Sequence, residues 1–154
     1  IRVAVEFMIY SEAKTLELAR QMVDGSGQPN AGYLIDPLHL YRSGGTPDAI
    51  KKVDPKRIIL AQLCDAKKRK SNPTNEELVR EARTERLAPG DGELPLYDFL
   101  DALPPDTEIE YEVPRPEHLG LPLAERARIA ANRFKAYMAE YARQRGRKDP
   151  WPGA

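Results

Sequence analysis

The chain has 154 residues, 41% hydrophobic and 31% charged, and its 24 basic and 24 acidic side chains balance to zero. That is the composition of an ordinary globular domain, and zero net charge gives no electrostatic reason to expect nucleic acid or an anionic membrane as partner. No apolar stretch approaches the roughly 18 residues of a membrane span, and a single cysteine, Cys64, excludes an intrachain disulfide framework and fits a reducing cytoplasm.

In chain order, residues 2–6 read as a strand, and residues 12–24 carry apolar side chains near helical spacing, with Ser11 and Thr15 as candidate caps. Residues 25–30, rich in Gly, Pro and Asn, read as a turn before a second strand at 31–36. A loop is expected over 39–45, then a short helix opened by Thr46-Pro47-Asp48. The third strand is expected at 57–63. A long connection over 66–92 follows, with a basic run at Lys67-Lys68-Arg69-Lys70, read as a solvated face, and a helix capped by Thr74 running to about Arg83. Pro89 to Gly92 form a tight turn, Leu94 to Leu103 read as helical, and the fourth strand is expected at 108–113. A final helix over 122–145 carries one apolar stripe from Leu123 to Ala142. The charged, Pro-rich stretch 146–154 is expected to be a flexible tail.

The order β-α-β-α-β-α-β-α predicts a parallel sheet. An open doubly-wound sheet would normally carry a Gly-rich phosphate turn after its first strand, and Glu6-Phe7-Met8-Ile9-Tyr10 has no glycine. A barrel of the (β/α) type is favoured. Counting by twos puts Ala4, Gly32, Leu34, Ile58 and Leu60 on the face of the strand-end polar residues. Val3, Val5, Tyr33, Ile35 and Tyr111 fall on the opposite face, under the helices.

Four apolar runs end in side chains able to bind a metal: Glu6, Asp36, Gln62 and Glu112. Any one acid at a strand end is ordinarily a solvated rim residue. Four strand ends carrying candidates at the rim where an α/β barrel keeps its chemistry are harder to dismiss. The oxygen-rich set favours Mn²⁺ or Mg²⁺, with Co²⁺ as an alternative. His39, three residues after Asp36, is either a loop histidine bonded to backbone or a group over the mouth that binds or protonates a substrate oxygen. Arg86 is either solvated or an anion or hydroxyl clamp, and Arg42 can simply anchor its loop. Glu12 either faces the mouth or caps its helix. Asp65 is placed to orient a loop, and Cys64 reads as a small buried hydrophobe.

Taken in order, Asp36-Pro37-Leu38-His39-Leu40-Tyr41-Arg42-Ser43-Gly44-Gly45, Gln62-Leu63-Cys64-Asp65-Ala66, Arg86-Leu87-Ala88-Pro89-Gly90-Asp91-Gly92-Glu93-Leu94 and Glu110-Tyr111-Glu112-Val113 resemble the sugar phosphate isomerase/epimerase family, the xylose-isomerase-like TIM barrels. The resemblance runs from Glu6 to about Tyr141. It implies that these are the last four βα units of a barrel, over residues 1–145, with strands one to four supplied by a missing N-terminal half. It implies a divalent metal held by Glu6, Asp36, Gln62 and Glu112, and substrate contacts from His39, Arg86 and Glu12. Many members carry histidine where Gln62 stands, and glutamine there is similar to a branch that includes 3-dehydroshikimate dehydratases.

The chemistry implied is proton abstraction next to a carbonyl through a metal-stabilised enediolate, with Glu6 and Glu112 on either side of the substrate carbon. The substrate expected is a small carbohydrate, its phosphate, or a hydroxy-keto acid. A lyase that loses a β-hydroxyl with acid help from His39 shares the first step. A non-catalytic relic on a barrel scaffold is the third reading, because fold alone does not settle function. The chain alone is expected to be weakly active or inactive, and to self-associate unless its other half is supplied.

Overall fold

A computed structural model describes residues 1–68 and 72–148. Arg69, Lys70 and Ser71 of the basic stretch, and residues 149–154 of the expected tail, lie outside the described residues. Four strands form one sheet in the order β1 (Val3–Glu6), β2 (Ala31–Ile35), β3 (Ile58–Leu63) and β4 (Ile109–Tyr111), every neighbouring pair parallel. The helices are α1 (Leu16–Ser26), α2 (Pro37–Arg42), α3 (Pro47–Ile50), α4 (Asn75–Thr84), α5 (Leu96–Ala102) and α6 (Leu123–Gln144), with short 3₁₀ turns at Pro55–Arg57 and Pro116–His118.

The helices cover one face of the sheet. Leu16, Ala19 and Val23 of α1, Ile50 of α3, Phe99 and Leu100 of α5 and Tyr141 of α6 pack with Tyr33, Ile35, Ala61 and Leu63 into one buried core. On the other face Ala4, Leu34 and Leu60 are half-buried and Glu110 is exposed. A parallel sheet is ordinarily buried on both faces, so this face is the uncovered inner wall of a barrel segment. One parity expectation is corrected here. Ile58 belongs to the helix-side core, because the register between β2 and β3 slips: Tyr33 pairs with Ile58, but Leu34 pairs with Leu60. Ile59 is the extra residue of a bulge, which reverses the parity upstream of it. Gly32 faces the bulge, and a Cβ there would lie 2.2 Å from the Arg57 carbonyl oxygen and 2.8 Å from Ile59 Cγ1.

Local chemistry sets the helix ends. α1 starts at Leu16 rather than at Glu12, because the Thr15 hydroxyl accepts from Leu18 N–H. It runs through Gly25 and stops at Gly27, whose φ of 63° is the left-handed conformation glycine tolerates. Residues 37–42 form α2 where a loop is expected. Asp36 caps it by accepting from His39 N–H at 3.2 Å, and Pro37 supplies the favoured first position. α4 carries a reciprocal capping box between Thr74 and Glu77.

The stripe of α6 is buried only towards its C-terminal half, where Phe134, Met138 and Tyr141 reach the core. Leu123 is 77% exposed, and the helix there overhangs the free edge of β4 beside a cavity of about 570 Å³. No helix among the described residues is long and apolar enough to cross a membrane.

Candidate metal and substrate centre

The ends of the strands deliver the predicted residues to one place. Glu6 closes β1, Asp36 follows β2, Gln62 lies in β3 and Glu112 follows β4. Ligand atoms of Glu6, Asp36 and His39 all lie within 4.8 Å of one another. His39 Nε2 stands 3.5 Å from Glu6 Oε1. The cap geometry explains why His39 is there: Asp36 opens α2, so the residue three positions on turns back over its own cap.

Arg86 is drawn into the middle of this cluster and is 3% exposed. Its Nη1 donates to Asp36 Oδ2 and lies 3.1 Å from Cys64 Sγ. Its Nη2 is 3.3 Å from Glu112 Oε2 and 3.4 Å from His39 Nε2. Its Nε donates to the Ala82 carbonyl oxygen at the end of α4, at 2.8 Å. The solvated reading of Arg86 is thereby overturned. Burial opposes its charge, but Asp36 and then Glu112 hold the guanidinium protonated.

Among the described residues, two buried oxygens, Gln62 Oε1 and Glu112 Oε2, have no hydrogen-bond partner. Glu112 Oε2 is close to Arg86 as an ion pair but is not aligned for a hydrogen bond. Buried orphan oxygens beside clustered carboxylates are the donor set a hard cation satisfies. Burial, followed by repulsion from Asp36 and Glu112, pushes the Glu6 carboxyl up to about 7. Burial also raises Glu112, against the pull of Arg86. Burial lowers His39, so its imidazole is held neutral, the form that ligates or accepts a proton.

Other expectations resolve around this centre. Glu12 is exposed, does not cap α1, and makes no hydrogen bond or ion pair with the cluster among the described residues. Asp65 orients its loop: its carboxylate accepts from the backbone N–H groups of Ala66, Gly90, Gly92 and Leu94 at 2.8–3.0 Å. Arg42 does anchor, but its partner is a buried acid on α4, Glu81. Cys64 is fully buried, as expected, and also touches Asp36 Oδ1 at 3.9 Å.

Two neighbours of the site were not anticipated. Tyr10 sets its ring edge-on to His39, with centroids 5.8 Å apart. Glu110 pairs in register with Gln62 on the inner face and adds negative charge near Glu6 and Glu112. The period of two from Glu112 could have found Glu110. Nothing local marks Tyr10.

The model of the xylose isomerase-like TIM barrel family matches residues 1–137. An inosose isomerase of Bacillus velezensis is 25% identical over 146 residues, 92% of this chain and 50% of that protein. The inosose isomerase of Bacillus subtilis is 23% identical over the same shares. The crystal structure of IOLI protein with a bound zinc atom has a TM-score of 0.74 and 23% identity, covering 92% of this chain and 50% of that one. A xylose isomerase domain protein of Alicyclobacillus acidocaldarius has a TM-score of 0.67 and 23% identity, covering 92% of this chain and 52% of that one. The chain spans about half the length of the curated relatives it matches. With four parallel strands delivering their polar ends to one rim, the chain belongs to the xylose isomerase-like TIM barrel family.

Proposed function

We propose that this chain carries one side of the active site of a divalent-metal-dependent sugar or sugar-phosphate isomerase or epimerase. The observation that carries the reading is the convergence of Glu6, Asp36 and His39 within 4.8 Å, beside the orphan oxygens of Gln62 and Glu112. In this reading Glu6, Asp36, Gln62 and Glu112 hold the metal, Mn²⁺ or Mg²⁺ by the hardness of the donors, with Co²⁺ as an alternative. His39 lies close enough to Glu6 to share in the ligation. A divalent ion there supplies Lewis acidity at a carbonyl and its neighbouring hydroxyl. The inosose isomerases among the relatives, and the zinc bound in the structure of the IOLI protein, support a metal-assisted reaction on a polyhydroxylated ring or chain.

The residues divide the remaining work. Glu6 and Glu112 sit on strands at opposite edges of the sheet, and one removes the proton next to the carbonyl while the other returns it. Burial and acidic neighbours lift the Glu6 carboxyl to about 7, and once deprotonated, as metal binding would require, it is a carboxylate basic enough to accept a proton from carbon. Neutral His39 steadies a substrate oxygen, and the guanidinium of Arg86, held by Asp36 and beside Glu112, adds positive charge next to the negative charge developing there. An oligomer, or a second four-stranded half, would complete the wall opposite.

The test is deuterium exchange in heavy water with Mn²⁺ present, read by NMR over a panel of ketoses, inososes and 3-dehydroshikimate. The expected result is metal-dependent deuterium at the carbon next to a carbonyl, abolished in Glu6→Gln. Loss of water from 3-dehydroshikimate would place the chain with the lyases instead. Exchange that ignores both metal and Glu6 would contradict the proposal.

A further inference from the structure

Arg86 reaches the centre from a long connection, not from a strand end, and something must hold it there against the cost of burying its charge. On its C-terminal side Leu87 pairs with Asp65 through two backbone hydrogen bonds at 2.8 Å, and on its N-terminal side α4 ends two residues before it. An ion pair joins α4 to α2. Arg42 Nε donates to Glu81 Oε2 and Arg42 Nη2 to Glu81 Oε1, both at 2.8 Å, and both side chains are 9% exposed. Arg42 Nη2 also donates to the Lys67 carbonyl oxygen at 2.8 Å, so one guanidinium grips the start of the connection and its helix together. Ala82, next to Glu81, packs with Leu38, Cys64 and Ala66, and its carbonyl oxygen receives Arg86 Nε. On α2, Arg42 lies three residues after His39, so the helix that presents the histidine also anchors the helix that presents Arg86.

We infer that Arg42 and Glu81 are positioning residues: their ion pair docks α4 on α2 and thereby fixes Arg86 against Asp36, Glu112 and His39. The forked geometry suits that task, since two parallel charge-assisted bonds set orientation as well as distance. Breaking the pair frees α4 locally and lets Arg86 leave, while the sheet and the outer core, which α4 does not build, stay folded. The role in catalysis rests on the function proposed above, but the positioning itself does not, and it can be measured without metal or substrate.

Cys64 is the reporter, being the single cysteine, fully buried, and 3.1 Å from Arg86. Labelling by N-ethylmaleimide is compared in the intact chain and in Glu81→Gln, alongside circular dichroism and denaturant unfolding. The expected result is labelling faster by roughly ten- to a hundredfold, as the loss of a charge-assisted bond implies, with secondary structure and cooperative unfolding retained. Arg86→Ala should label at least as fast, and the charge-reversed pair Arg42→Glu/Glu81→Arg should slow labelling again. If Glu81→Gln does not fold, Arg42→Lys, which keeps the charge and loses the fork, gives the same comparison. Wild-type labelling in a folded Glu81→Gln or Arg42→Lys overturns the inference, as does unchanged labelling in Arg86→Ala. If labelling meets the expectation and no metal binds, the positioning stands and only the catalytic reading fails.

Discussion

Asp65 shows how much one side chain can organise. It is buried, and four backbone N–H groups converge on its two oxygens, three of them from the loop between α4 and α5. Removing the carboxylate leaves those donors without their acceptor. Asp65→Ala is expected to lower stability by roughly 3–5 kcal/mol in denaturant unfolding; a loss below about 1 kcal/mol would mean that the loop holds itself. Glu6 carries a different consequence. Burial and its acidic neighbours lift its carboxyl to about 7, and a ligand must lose its proton before it can bind a metal. Below that point proton and metal compete, so Mn²⁺ affinity should weaken roughly tenfold per pH unit on acidification and level off above about pH 8. Calorimetric titrations across this range check it, and a flat profile would remove Glu6 from the ligand set. At this scale much was legible. Glu6, Asp36, Gln62 and Glu112 stand out because each interrupts an apolar run, and the backbone then carries them to one rim. Arg86 is legible as a candidate clamp, but its depth among the carboxylates is not, because its inward turn depends on how α4 docks, which no local pattern records.

At the scale of elements, capping chemistry predicted well and sheet irregularity did not. Thr74 and Glu77 announce α4, and Thr46-Pro47 announces α3. α2 is not expected from the sequence although Asp36-Pro37 is a helix-opening pair, because the strand-end reading of Asp36 takes precedence; in the structure one of its oxygens accepts from the cap and the other from Arg86. The β3 bulge was invisible because Ile58, Ile59 and Leu60 are all apolar, so parity has no contrast to follow. Gly32 is the part of the bulge that can be tested. A methyl group there meets backbone at the Arg57 carbonyl as well as the Ile59 side chain. Gly32→Ala should therefore cost roughly 2–4 kcal/mol, more than propensity alone predicts for glycine in a strand. A neutral or stabilising substitution would show that the two strands can part without penalty.

At the scale of the whole molecule, the sheet has two open edges, β1 and β4. The large exposed apolar residues gather at its flanks: Ile1, Val3, Leu18 and Met22 on the β1 and α1 side, Leu119 and Leu123 beside β4 and α6. Open parallel edges with apolar flanks recruit partners. The chain on its own is expected to associate with rising concentration in sedimentation velocity, and Leu123→Lys to reduce that association. A monodisperse monomer over the whole range would contradict this. The barrel class was readable from the alternation of elements, while the exposure of the first half of α6 was not, since an apolar stripe in sequence does not say which neighbour covers it.

If Glu6, Asp36, Gln62 and Glu112 hold a divalent ion, the folded chain must retain one, so metal content is the decisive measurement. The chain and its Asp36→Ala variant are dialysed against Mn²⁺, freed of excess ion, and assayed for metal, with circular dichroism confirming that both are folded. About one ion per folded wild-type chain, lost in the variant, is the predicted result. No bound ion in the folded wild type, or equal binding in the two, would contradict it.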